Sequence, residues 1–70
     1  MKEVKATMAG NVWKIVVEAG KEITDGEDVV ILESMKMEIP VSAESDGVVK
    51  EVKVQEGSFV NEGDTLVILE

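Results

Sequence analysis

Four residue types are missing from this 70-residue chain: cysteine, histidine, arginine and tyrosine. Without cysteine no disulfide can staple the fold, and the small core must hold it alone. The same absence is consistent with a reducing cytoplasm. Without cysteine and histidine the usual transition-metal ligands and nucleophile–base pairs lose their parts, so neither a metal site nor a catalytic centre is expected. Seven lysines face fifteen acidic residues, a formal net charge of −8, and no basic patch is available to neutralise phosphates. Nucleic acid is therefore not an expected partner. The first twenty residues hold no long apolar run, so neither a signal peptide nor a membrane span is expected, and a cytoplasmic monomer is the simplest reading. Proline occurs once, at Pro40, and the aromatics are Trp13 and Phe59.

What is present is a repeat. Shifted by 37 residues, the sequence matches itself along most of its length. Gly10 falls on Gly47, Val12 on Val49, Val17 on Val54, Gly20 on Gly57 and Gly26 on Gly63. Val30-Ile31-Leu32-Glu33 falls on Val67-Ile68-Leu69-Glu70, and Ala6 on Ala43. Between these identities the exchanges stay in kind, Ile15 to Val52 and Ile23 to Val60. Residues 1–70 thus read as one domain of two half-repeats, about 1–33 and 39–70, joined through residues 34 to 38.

Each half reads as strands. Val4–Met8 leans towards β structure, and Gly10–Val17 and Gly47–Val54 are rich in Val and Ile. The step of three from Val49 to Val52 breaks period two and predicts a bulge or bend. Turns follow at Glu18-Ala19-Gly20 and Gln55-Glu56-Gly57, where glycine supplies positive φ. Short segments at Ile23 and Val60 lead through Asp25-Gly26 and Glu62-Gly63 to closing strands Asp28–Glu33 and Thr65–Glu70. A further strand is expected over Ile39–Ala43. No stretch sustains helical periodicity. Eight short strands in two equivalent sets predict an all-β fold, a flattened barrel or sandwich of two four-stranded antiparallel sheets with a pseudo-twofold axis. The twofold would put the mid-chain reversal at one end and both termini near the other.

That reversal lies in Glu33-Ser34-Met35-Lys36-Met37-Glu38, and none of these is Gly, Asn, Asp or Pro. Tight hairpins favour those residues because primed turns need positive φ. Something other than turn chemistry has selected Met-Lys-Met. Methionine is usually buried, so two of them bracketing a lysine at a tip point to a surface read by another protein. The alternative is that Met35 and Met37, two apart, both turn inward as core filler and leave Lys36 outward. The residues alone leave both open. Lys2, Lys5, Lys14, Lys21, Lys50 and Lys53 lack the methionine bracket and read as solubilising.

Glu-Ser-Met-Lys-Met-Glu, with Gly-x-Val upstream, Gly-Val-Val-Lys downstream and the Glu-Gly-x-x-Val-x-x-Gly-Asp run at Glu56–Asp64, resembles the biotinyl domains of biotin-dependent carboxylases. The likeness spans essentially the whole chain and is greatest to single-domain biotin/lipoyl attachment proteins. It implies a barrel-sandwich hybrid fold, and a carrier rather than an enzyme. Biotin would be attached covalently to Lys36 by a biotin protein ligase. The arm would then carry CO2 between a biotin carboxylase and a carboxyltransferase. Met35 and Met37 would be recognition handles, and Glu33 matches a family position implicated in ligase contact, although its repeat mate Glu70 has no lysine nearby. Ser34 stands where the family often has Ala. Thr7, Ala9 and Glu44 stand where it often has proline. The protruding "thumb" loop of some bacterial carriers is not expected, because the repeats align without insertion between Gly10 and Leu32. Lysine amines are ordinarily protonated at neutral pH, and only carboxylates are present as bases, so deprotonation falls to the ligase.

Two other readings compete. A lipoyl domain, carrying lipoate on the same lysine for a 2-oxo acid dehydrogenase type of complex, shares fold and repeat but typically has Asp-Lys-Ala at the tip. An unmodified β-sandwich interaction module would share the fold and carry nothing.

Overall fold

The computed structural model describes residues 2–70, so Met1, at the head of the first half-repeat, lies outside the described residues. Eight strands follow in order: β1 (Lys2–Lys5), β2 (Gly10–Ile15), β3 (Glu22–Ile23), β4 (Asp28–Ser34), β5 (Met37–Ser42), β6 (Gly47–Val52), β7 (Phe59–Val60) and β8 (Thr65–Leu69). They form two four-stranded antiparallel sheets, ordered β1-β8-β6-β3 and β5-β4-β2-β7. No helix is present among the described residues, and hence none long and apolar enough to cross a membrane.

The repeat is written into this topology. Shifting by 37 residues carries each strand of one sheet onto the strand in the same place of the other. The irregular backbone bonds obey it too. Ala6 N–H donates to Asp64 O, and Ala43 N–H to Glu27 O; Gly20 N–H donates to Val49 O, and Gly57 N–H to Val12 O. The short strands β3 and β7 each pair with the long strand of the other half. The halves are therefore interlocked rather than stacked as separate units. Lys2 pairs with Leu69, so β1 and β8 meet where the twofold places the counterpart of the β4–β5 reversal.

The core follows the same rule. Its buried side chains include the mated pairs Val4 and Val41, Ala6 and Ala43, Val12 and Val49, Ile23 and Val60, Val29 and Leu66, Val30 and Val67, and Leu32 and Leu69. No polar side chain is buried among the described residues. Val17 is buried while its mate Val54 packs against the cluster from a less covered position.

The expected bulge is found, and found twice. Register shifts between Val49 and Glu51, and at the mated place between Val12 and Lys14. Several strand limits differ from expectation. The first strand is Lys2–Lys5 rather than Val4–Met8, and β2 and β6 stop at Ile15 and Val52 instead of Val17 and Val54. The cause is crossover: β2 and β3 lie in different sheets, as do β6 and β7, so residues 16–21 and 53–58 must leave one ladder for the other. The same holds for residues 6–9 between β1 and β2. The equal length of the two β-sheet crossovers leaves no room for a thumb. Pro40 lies in β5, an edge strand, where a missing N–H interrupts no ladder on the open side.

Candidate functional site

Strand β4 is central in its sheet, flanked by β2 and β5, and is anchored by the fully buried Leu32. Beyond Leu32 the β4–β5 ladder continues through Leu32–Ile39, Glu33–Glu38 and Ser34–Met37. Only Met35 and Lys36 are left to reverse the chain. Both take positive φ, 52° at Met35 and 64° at Lys36. This is the φ signature of a primed two-residue hairpin turn, formed without the Asn or Gly that normally relieves it. A residue bearing Cβ in this region gives up roughly 1–2 kcal/mol, so the tip holds local strain that the rigid strands beneath it sustain.

Strain of this kind fixes where the side chains go. Met35 is 91% exposed and Met37 62% exposed, and Lys36 is exposed between them. The core-filler alternative is thereby excluded. Alternation along one strand does not relate Met35 to Met37, because the turn falls between them. Among the described residues the Lys36 amine has no hydrogen bond or ion pair, unlike the amine of Lys21, which pairs with Glu27. That contact, with a backbone N–H from Thr24, holds the Glu27 carboxyl below the ordinary glutamate range.

Gly10 sits under the hairpin. A Cβ there would lie 2.9 Å from the Glu33 carbonyl oxygen and 3.5 Å from Ser34 Cβ, so only glycine lets β2 approach the end of β4 this closely. A shallow open depression beside the tip is lined by Gly10, Asn11, Glu33, Met35, Lys36 and Phe59, among others. Glu33, for which the family resemblance implies ligase contact, is exposed on the outer face of the sheet beside this depression. It pairs directly with Asn11 on one side and Glu38 on the other.

Phe59 stands at an unspecified position of the Glu56–Asp64 run, and sequence reasoning assigns it no role. It is 62% exposed, in β7 opposite Asn11, and borders the same depression as Lys36. One signal could have found it: its repeat mate is Glu22, so the two halves disagree there in kind.

The fold and a lysine displayed in this way define a carrier-type domain. The family of biotin-requiring enzymes, the biotin/lipoyl domain, matches residues 2–69. The chain belongs to that family. It is 61% identical over 66 residues to the biotin/lipoyl attachment protein of Bacillus subtilis, covering 94% of this chain and 90% of that protein. Among solved structures, the urea carboxylase of Kluyveromyces lactis superposes with a TM-score of 0.92 at 29% identity, over 99% of this chain but 6% of that one. The lipoyl domain of the 2-oxoglutarate dehydrogenase complex of Azotobacter vinelandii gives a TM-score of 0.78 at 30% identity, over 100% of this chain and 96% of that domain.

Proposed function

We propose that residues 1–70 act as one biotin carrier unit, with Lys36 as the covalent acceptor. The observation that carries this is an amine without a partner among the described residues, held on a strained two-residue turn between two exposed methionines. In loading, the Lys36 amine attacks the acyl carbon of biotinyl-AMP on a biotin protein ligase. The C–N amide bond forms, the acyl–phosphate bond breaks, AMP departs and the amine gives up its proton to a base on the ligase. The charge of one lysine disappears, which takes the formal net charge one unit below −8.

Biotin, when attached, supplies the group that holds CO2. Everything else is done by the chain: the hairpin holds the amine clear of the sheets, and Met35 and Met37 offer apolar handles. The unit is a substrate of its ligase and a carrier for a biotin carboxylase and a carboxyltransferase, not a catalyst. Tethering raises the effective concentration of the cargo at both sites as any short linker does.

A lipoyl carrier is the second reading, favoured by the likeness in fold to a lipoyl domain. The methionines on both sides of Lys36 support biotin. Incubation with labelled biotin and biotin ligase, and separately with labelled lipoate and lipoyl ligase, tests the choice. Biotin label on Lys36 is expected; label entering from lipoate alone would reverse the assignment.

A further inference from the structure

Methionine carries all the sulfur in this chain, and the described methionines fall into two kinds. Met8 is half-buried and packs against the core. Met35 and Met37 are 91% and 62% exposed, one on each side of Lys36. Among the described residues, sulfur open to dissolved reagents is therefore concentrated at the tip.

The scaffold requires neither side chain. Both lie in the segment joining the half-repeats, where no mate exists. Met35 sits at a φ of 52°, which Asn or Gly would adopt with less strain. An apolar handle as such does not require sulfur either, since leucine is of similar volume and comparably apolar. What leucine lacks is a thioether, which a mild oxidant turns polar and cellular reductases restore.

We propose that Met35 and Met37 form a reversible oxidation site for hydrogen peroxide and other small hydroperoxides, and that their sulfoxides block loading of Lys36. The inference deepens the carrier reading given above and rests on it. A sulfur lone pair attacks a peroxide oxygen. The S–O bond forms, the O–O bond breaks, and the departing hydroxide takes up a proton and leaves as water. Sulfur gives up two electrons and the peroxide gains them. Two thiols of a methionine sulfoxide reductase system return the thioether, yielding a disulfide and water.

The sulfoxides act on loading in two ways. The surface on both sides of Lys36 turns from apolar to polar, so a partner site that accepted thioethers must now desolvate S–O dipoles. The sulfoxide oxygen is also a new acceptor beside an amine with no hydrogen bond or ion pair among the described residues, and Met35 and Lys36 line the same depression. A hydrogen bond from Lys36 to that oxygen occupies the amine that the acyl carbon must meet.

In the test, the intact 70-residue chain is treated with dilute hydrogen peroxide and catalase removes the excess. Sulfoxides are mapped by peptide mass before ligase is added. Met35 oxidises first and Met37 next, both about threefold or more faster than Met8, following exposure. Once both are sulfoxides, kcat/KM for biotinylation by purified ligase falls about fivefold or more, and methionine sulfoxide reductases with a dithiol restore it. Far-UV circular dichroism stays unchanged. Met35→Leu/Met37→Leu is compared only with itself, and peroxide leaves its rate within about 1.5-fold, although Met1 and Met8 remain. Met8→Leu shows the full response of the parent. Met8 oxidising as fast as the tip methionines overturns the proposal. A chain bearing both sulfoxides that loads at the untreated rate, or an equal loss in the double leucine variant, does the same. An untreated chain that accepts no biotin sinks the carrier reading instead, while the order of oxidation, read without ligase, still decides whether the tip is the reactive site.

Discussion

At the scale of single residues the molecule makes one unusual choice. Met35 and Lys36 occupy backbone conformations that glycine or asparagine would adopt with less strain. Replacing Met35 by Asn should therefore stabilise the domain by roughly 0.5–1 kcal/mol, part of the left-handed penalty, and raise Tm by a few degrees. The same change should lower kcat/KM for the ligase several-fold by removing an apolar handle. Opposite movement of Tm and loading is the expected outcome, read by calorimetry and by ligase kinetics on one sample. The exposed place of Lys36 at the chain reversal was legible from the sequence, because its neighbours contradict ordinary turn chemistry. The conformation that resolves the contradiction was not: strain in a turn is sustained by strands on either side, and a local window does not contain them. Phe59 was illegible for a related reason. A two-residue strand shows no alternation, and only the comparison of mates exposes it.

At the scale of elements, the working unit is the β4–β5 hairpin with β2 beneath it. A Cβ added at Gly10 would come within 2.9 Å of the Glu33 carbonyl oxygen, closer than a side chain can sit without something shifting. Gly10→Ala should destabilise the domain by about 1–3 kcal/mol through overpacking. Native-state hydrogen exchange should show the Asn11–Glu33 pairing opening more readily, with the fold otherwise kept. An unchanged exchange profile would mean that β2 does not brace the hairpin. The bulge in β6 was visible in the spacing of Val49 and Val52, because a broken period of two is a local signal. The early ends of β2 and β6 were not, because Val16, Val17 and Val54 keep β-forming character while the chain crosses between sheets. Where a strand stops is decided by which sheet the next one joins.

At the scale of the whole molecule, the interlocked halves make the core a set of mated pairs, and mates should contribute alike. Leu32 and Leu69 are both fully buried at equivalent places. Leu32→Ala and Leu69→Ala should each remove about 2–5 kcal/mol, and the two losses should agree within about 1 kcal/mol in urea unfolding. Against a total stability of about 4–10 kcal/mol for a chain of this size, either change is severe. A large disparity would mean that the twofold is geometric without being energetic.

The central claim concerns one amine of seven, and the intact mass of the chain after co-expression with biotin ligase in biotin-fed cells tests it most directly. The account predicts a single biotinyl addition, abolished in Lys36→Arg and retained in Lys50→Arg, because Arg keeps the charge without offering an acylable amine. A mass that stays at the unmodified value, or an addition that survives Lys36→Arg, would contradict it.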